Sequence, residues 1–345
     1  MKKVLIDKNL NWYRANLHCH SVHSDGAMTP EQLKEAYKKE GYQILAISDH
    51  EILLDHSDLN DENFITLTSV EYSIDSAVSN FEKIDEKFGE NPGHRKKVIH
   101  INAFSKDPHN TFQPGATKDS WWLRTRYADL PESKFDGYRR EYTKESINEV
   151  IKRLNDGGFL VQYNHPNWSL NDRGDYMALE GIWSLEILNY ATELETGAEH
   201  CPYIYDDMLR NGKRLYCSMG DDNHNWKDKN GFFDMKQSFG GFTMIGANEL
   251  KYDKIIDSME KGNFYCSAGP RIYSLIVEDN KVKIECSPAT TIILNGYART
   301  FQTRKGYALT YAEFDLSHCE GYFRITVRDG QGRDAHTSAY WIDEL

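Results

Sequence analysis

The chain is 345 residues long, 39% hydrophobic, with a formal net charge of −12 and a mean hydropathy of −0.68. That length suits one large α/β domain with a small second one, and the composition can bury an ordinary core beneath a polar surface. The acidic balance argues against a long nucleic-acid backbone as partner, and no run of about 18 apolar residues offers a membrane span.

Taken from the N-terminus, Met1-Lys2-Lys3-Val4-Leu5-Ile6-Asp7 has too short an apolar stretch for a signal peptide, so a cytoplasmic location is expected. A strand starting near Arg14 leads into His18-Cys19-His20, with Ser24-Asp25-Gly26 close behind. Alternate side chains of a strand share a face, so His18 and His20 point together and Cys19 points into the core. A helix opens at Pro30-Glu31 and runs toward Glu40. Thr29 is placed to cap it, Gln32 completes a capping box, and Gly41 ends it. The apolar run from Gln43 to Ser48 is the next strand and delivers Asp49-His50. Strands starting near Phe64 and Lys97 carry Glu71 and His100, and the polar stretch from Ser73 to Arg95 between them reads as a surface excursion.

Residues 105–143 break the alternation and hold Trp121-Trp122, Arg124, Arg126, Tyr127, Tyr138, Arg139, Arg140 and Tyr142. Long inserts on a catalytic face often build the substrate pocket. Arg124 and Arg126 are therefore expected to take an anionic group, since guanidinium forks match phosphate oxygens, and Trp121 and Trp122 to form a stacking wall. The two arginines share a face only if the segment is extended.

The helix–glycine–strand unit then repeats. A helix near Glu145–Asn155 precedes Gly157-Gly158 and the strand Phe159–Tyr163, which delivers His165-Pro166. A strand near Ile182 follows. The helix Pro202–Arg210, Gly212 and the strand Leu215–Met219 deliver Asp222-Asn223-His224, and a last copy comprises Tyr252–Glu260, Gly262 and Phe264–Cys266. Alternation of this kind implies a parallel sheet with right-handed crossovers. A β/α barrel would bring ligands from so many strands together at the C-terminal ends. After Gly269-Pro270 only short strands remain, with turns at Asn295-Gly296 and Asp329-Gly330, as expected of a small β-sandwich. The expected division is residues 1–268 and 269–345.

His18, His20, His50, His100, His165 and His224 are six of the 13 histidines, and each patch falls where a strand would end. With Asp25, Glu71 and Asp222 they form a mixed nitrogen and oxygen donor set of the kind that holds Zn, Fe or Mn rather than Mg or Ca. The cysteines Cys19, Cys201, Cys217, Cys266, Cys286 and Cys319 form no CxxC pair and are expected as reduced thiols.

The ordered set His18-x-His20-x-x-x-Ser24-Asp25-Gly26, Ser48-Asp49-His50, Glu71, His100, Asn164-His165-Pro166 and Asp222-x-His224 resembles the PHP (polymerase and histidinol phosphatase) superfamily over roughly residues 12 to 268. The Asn11-Trp12-Tyr13 lead-in and the C-terminal β-region resemble its two-domain phosphoesterase branch. The resemblance implies a distorted (β/α)7 TIM-like barrel and a two- or three-metal site that hydrolyses phosphoesters. It implies that His18, His20, Glu71 and Asp222 hold one divalent transition metal ion, that Glu71 bridges to a second held by His100 and His165, and that Asp25, His50 and His224 hold a third. Asp25 stands where trinuclear members place a histidine slightly later. Asp221 adjoins Asp222, and the spacing to His224 favours Asp222 as the ligand.

Two such cations would acidify a bridging water and clamp phosphoryl oxygens, with Glu71, Asp222 and His224 as the catalytic set. No GxSxG, P-loop or dinucleotide-binding glycine pattern is present. The expected activity is that of a metal-dependent phosphoric ester hydrolase acting on a small phosphorylated molecule. The alternatives are a metallohydrolase of carbamate, ester or amide bonds, and a binding module with structural metals.

Overall fold

The computed structural model describes residues 2–76 and 97–345, so most of the Ser73–Arg95 excursion lies outside the described residues. Strand β1 (Lys2–Ile6) precedes β2 (Asn11–Asn16), helix α1 (Pro30–Lys39), β3 (Ile44–Ile47), β4 (Ile65–Asp75) and β5 (Val98–Ser105). Helices α2 (Trp121–Arg126) and α3 (Lys144–Asp156) lead to β6 (Phe159–Tyr163), α4 (Arg173–Ala178) and β7 (Ser184–Asn189). Then come α5 (Tyr190–Thr196), α6 (Pro202–Arg210), β8 (Tyr216–Gly220), β9 (Phe242–Ala247), α7 (Tyr252–Glu260) and β10 (Phe264–Ser267). The chain closes with β11 (Ile272–Glu278), β12 (Lys281–Gly296), β13 (Phe301–Asp315), β14 (Tyr322–Arg328), β15 (Asp334–Thr337) and β16 (Tyr340–Trp341).

Local chemistry accounts for where the helices start. At α1 the Thr29 hydroxyl accepts from Gln32 N and the Gln32 side chain accepts from Thr29 N, while Leu33 and Tyr37 are buried on the inner face. At α3, Thr143 caps Ser146 N, and Ile147, Val150, Ile151 and Leu154 form a buried stripe at helical spacing.

The fold is mixed α/β with a large sheet. Its order is β1-β11-β12-β14-β15-β10-β9-β2-β3-β4-β5-β6-β7-β8, with β13 on β12 and β16 on β14. Strand β8 returns against β9, where the Thr243 hydroxyl meets both the N–H and the C=O of Met219.

The expected all-parallel order is overturned at two places. Strand β5 runs antiparallel to both β4 and β6, and β9 runs antiparallel to β2 and β10. Hydrophobic period reports burial, not direction, so nothing in the apolar runs of β5 or β9 distinguishes the two senses. Strand β9 was not foreseen at all. It is a six-residue run broken by Gly246, whose missing side chain admits the Trp12 ring. The C-terminal region also differs from expectation. Val282–Cys286 and Thr291–Leu294 are the two ends of one long strand, β12, with a register shift between Glu285 and Ala289. The β-strands of this region are continuous with the rest of the sheet through β15 on β10, and β1 pairs with β11.

Candidate metal centre

The sheet gathers the nine expected ligand residues at one edge. His18 and His20 lie just past β2, His50 past β3, His165 past β6, and Asp222 and His224 past β8. Two residues reach this edge in another way. Glu71 sits inside β4, which outruns β3: Ile47 pairs with Thr68, so β4 continues past the end of its neighbour. His100 is near the start of β5, not at a strand end. Because β5 is antiparallel, with His100 opposite Ser73, its beginning lies where the parallel strands finish.

Three overlapping groups result, each with ligand atoms within 4.8 Å of one another. In the first, His18 Nε2 is 3.3 Å from Glu71 and 3.2 Å from Asp222, and His20 Nε2 is 3.3 Å and 2.8 Å from the same carboxylates. In the second, Glu71 Oε1 is 3.1 Å from His100 Nδ1 and 3.2 Å from His165 Nε2. In the third, Asp25 is 3.4 Å from His224 Nε2 and 3.7 Å from both His50 Nε2 and His20 Nδ1. Glu71 belongs to the first two groups and His20 to the first and third.

These short separations are not all hydrogen bonds. His18 Nε2, His20 Nε2, His50 Nδ1, His100 Nδ1, Glu71 Oε2 and Asp222 Oδ1 are buried with no hydrogen-bond partner. A buried polar atom left unpaired costs about 1–3 kcal/mol, and here the orphaned atoms face one another across shared centres. Imidazole nitrogens and carboxylate oxygens converging in this way fit divalent transition metal ions, which would satisfy every one of them.

The electrostatics agree. Burial opposes charge at His20, yet Asp222 and Glu71 beside it raise its pKa to about 10. His18 is likewise raised, with burial overcome by Asp222, Glu71 and Glu186. Burial and then the charge of His20 hold His50 down to about 4. Against the cost of burial, His18, His100 and His50 keep Glu71 ionised well below the usual range, and the histidines around Asp222 do the same there. The carboxylates thus set a negative field at His18 and His20 that a bound cation would offset.

On most of these rings the nitrogen opposite the shared centre has its own partner. Glu186 lies 3.3 Å from His18 Nδ1 through both oxygens, Ser73 Oγ is 2.9 Å from His100 Nε2, and Ser169 Oγ is 3.0 Å from His165 Nδ1. His224 Nδ1 is 3.1 Å from the carbonyl of Asp222. Such partners fix the ring and its tautomer, leaving the other nitrogen's lone pair for a metal. Gly220 makes room for Glu186, since a Cβ there would stand 2.7 Å from Glu186 Oε1. Asp222 and His165 hold positive φ angles of 54° and 22°, an uncommon conformation for residues with side chains and one that clusters at functional sites.

Sequence reasoning passed over Glu186, although a lone carboxylate in the apolar run Ser184–Asn189 was a usable signal. It also passed over Asn189, which donates to both Glu186 and Asp222, and gave no role to Asn164 of the Asn164-His165-Pro166 motif, which donates to Glu71. Asp49 is not among the grouped residues: it accepts from the N–H and hydroxyl groups of Ser21 and Ser24 at 2.6–3.1 Å, tying down the loop that carries Asp25. Asp221 also stands apart, accepting from Tyr37 and from three successive N–H groups at Phe239, Gly240 and Gly241. Cys19 is buried in the core, as its alternation with the histidines requires.

The insert behaves differently from expectation. Trp121–Arg126 is helical, so Arg124 and Arg126 do not share a face. Neither lines the cavity over the histidines. Arg126 lies over Trp122 and donates to the carbonyls of Val22 and Ser24, clamping the ligand loop rather than facing it. Trp121 is exposed, while Trp122 stacks on His50 with 5.8 Å between ring centroids. Arg140 forks onto Glu51 and anchors the insert to the end of β3.

The cavity measures about 180 Å³ and is lined by the grouped residues other than His18 and His20, together with Trp168, Ala191, Thr192, Glu195, Trp226 and Gln237. No lysine or arginine among the described residues lines it. Elsewhere, no helix among the described residues is long and apolar enough to cross a membrane.

No protein-family model matches the chain, and no curated protein matches it. Solved structures similar to it include a two-domain protein containing a predicted PHP-like metal-dependent phosphoesterase from Bacteroides vulgatus. That likeness has 13% identity over 98% of this chain and 96% of the other, with a TM-score of 0.44. A candidate metal-dependent phosphoesterase from Bifidobacterium adolescentis shares 16% identity over 65% of this chain and 93% of its own, with a TM-score of 0.37. An amidohydrolase from Chromobacterium violaceum with bound sulfate shares 16% identity over 72% and 96%, with a TM-score of 0.38.

Proposed function

We propose that this chain is a metal-dependent phosphoesterase that hydrolyses a small phosphorylated molecule with a metal-activated water. The observation that carries the reading is the set of buried, orphaned ligand atoms converging on shared centres. We read the strands from β9 through β2 to β8 as a distorted TIM-like barrel within residues 1–268, residues 269–345 as a small β-sandwich, and the protein as cytoplasmic.

His18, His20, Glu71 and Asp222 would hold one ion, Glu71 with His100 and His165 a second, and Asp25, His50 and His224 a third, drawn from Zn, Fe or Mn. When bound, such ions supply Lewis acidity that polarises a phosphoryl oxygen and lowers the pKa of water. Glu71 shares its two oxygens between groups and so sets their spacing. Asp222 and His224, adjacent past β8, tie the first group to the third. Glu186, Ser73 and Ser169 hold His18, His100 and His165 in the tautomers that leave the inward nitrogens unprotonated. Three divalent cations would carry six positive charges against the three carboxylates Asp25, Glu71 and Asp222. The remaining positive charge suits a phosphate dianion without help from arginine.

The absence of lysine and arginine from the described cavity lining favours a second reading, hydrolysis of an uncharged carbamate, ester or amide at the same cluster. A panel of phosphomonoesters, phosphodiesters and carbamates, run on protein loaded in turn with Mn, Zn and Fe, separates the two. Turnover of a phosphomonoester that chelation abolishes is the expected result. Turnover of carbamates or amides alone would replace the proposal with the second reading.

A further inference from the structure

Beyond the grouped histidines and carboxylates, the cavity offers an unusual set of surfaces for a site that takes an anion. Trp168 stands over His165 at 5.2 Å between centroids with the rings nearly perpendicular, and Trp226 lies 5.0 Å from His224. Both indole N–H groups are engaged, Trp168 with Glu195 Oε2 at 3.2 Å and Trp226 with the Asp25 carbonyl at 2.9 Å. The two rings therefore offer the cavity apolar faces and no donors. Glu195 is exposed at the mouth and forms no ion pair among the described residues. It is held by Trp168 through one oxygen, which leaves the other able to accept. Thr192 and Gln237 add uncharged polar groups.

From this lining we infer that the substrate carries a single phosphate on an uncharged, hydroxyl-bearing ring, that is, a sugar-type phosphomonoester, and that Glu195 excludes substrates with a second anionic group. The inference rests on the phosphoesterase reading above. The C–H face of such a ring matches an indole face, and a carboxylate accepts hydroxyl donors in charge-assisted hydrogen bonds. A second phosphate reaching the mouth would meet Glu195 with no described lysine or arginine in the lining to offset it, and like charges brought together in this way cost several kcal/mol in general.

The test uses the full chain loaded with Mn. Hydrolysis and calorimetric binding are measured for a hexose monophosphate, the matching hexose bisphosphate and para-nitrophenyl phosphate, with wild type, Glu195→Gln and Glu195→Lys. Wild type should prefer the monophosphate to the bisphosphate by at least tenfold in kcat/KM, with the same order in Kd. Glu195→Lys should shrink or invert that ratio by about tenfold, with Glu195→Gln between. Equal use of mono- and bisphosphate by wild type, or a ratio indifferent to Glu195→Lys, overturns this inference alone. If no phosphate ester binds or turns over in any variant, the phosphoesterase reading falls and the inference falls with it.

Discussion

Two clusters of histidine and carboxylate occur among the described residues, and they are built to different ends. Around Glu71 and Asp222, four ring nitrogens and one oxygen of each of these carboxylates are orphaned, and no arginine or lysine is paired to them among the described residues. The second cluster, His200, Asp334 and His336, also brings three ligand atoms within 4.8 Å. There, however, Arg324 donates to His336 Nδ1 at 3.1 Å and Arg328 forks onto Asp334 at 2.7 and 2.6 Å. Since His336 Nδ1 accepts from Arg324, its proton lies on Nε2, which donates to His200 Nε2 at 3.2 Å. Burial, then the charges of Arg324 and His200, hold His336 well below the usual imidazole pKa. The second cluster is already satisfied and already contains its cations. Proximity of histidine to carboxylate is therefore a weak sign of a metal; orphaned atoms without a neighbouring guanidinium are the stronger one.

The largest effect that would test this contrast is at Glu71. Glu71→Gln removes charge from two groups at once and should lower kcat by at least ~10³-fold, whereas Asp25→Asn, which touches only the third group, should cost nearer ~10-fold. Metal analysis alongside should find more than one ion per chain in wild type and a clear loss in Glu71→Gln. Equal losses in both variants, or less than one ion per chain in loaded wild type, would break the comparison on its first side.

The second side is tested at Arg324, which is buried and bound through two bonds of 2.7 Å to Asp206 of α6. Arg324→Leu should cost about 3 kcal/mol, the lower end of the range for a broken buried pair because Asp206 is partly exposed. Denaturant unfolding measures it, and metal content should not change. Loss of metal in this variant would mean that the two clusters are coupled.

Between them, Glu199 accepts from the N–H groups of Asn167 and Trp168, beneath the loop that follows His165. Its burial raises its pKa to about 7 from an ordinary 4.5. The folded state therefore holds the proton more tightly than the unfolded state. The stability this provides is full below pH 4.5 and is lost as pH rises toward 7. Glu199→Gln should leave stability unchanged at low pH and raise it by up to ~3 kcal/mol at pH 8. Thermal unfolding across that window checks it, and a parallel pH profile in both proteins would rule the assignment out.

The smallest expected effect is at Glu186. With Glu186→Gln, His18 keeps a hydrogen-bond partner but loses the charge behind it, so metal affinity should fall by about 10–100-fold while stoichiometry at saturation holds. Competition with a chelator reads this directly, and an unchanged affinity would make Glu186 a packing residue only.

Much of this was legible in the chain itself. The helices at Pro30–Lys39, Pro202–Arg210 and Tyr252–Glu260 are where amphipathic spacing and terminal glycines placed them, the first with a capping box as well, because those signals act within a few residues. The nine grouped residues were readable for a similar reason: ligand types recur just beyond apolar runs, and the order of those runs is written along the chain. What only the tertiary structure decided are the relations between distant segments. Whether β5 runs up or down depends on its neighbours, and that direction is what carries His100 to the metal edge. The helical turn at 121–126 sends Arg126 to the Val22 and Ser24 carbonyls, which lie 104 and 102 residues away. Glu186 meets His18 across 168 residues and Arg324 meets Asp206 across 118. Local propensity carries no information at that range; the packing of one sheet edge against its helices supplies it.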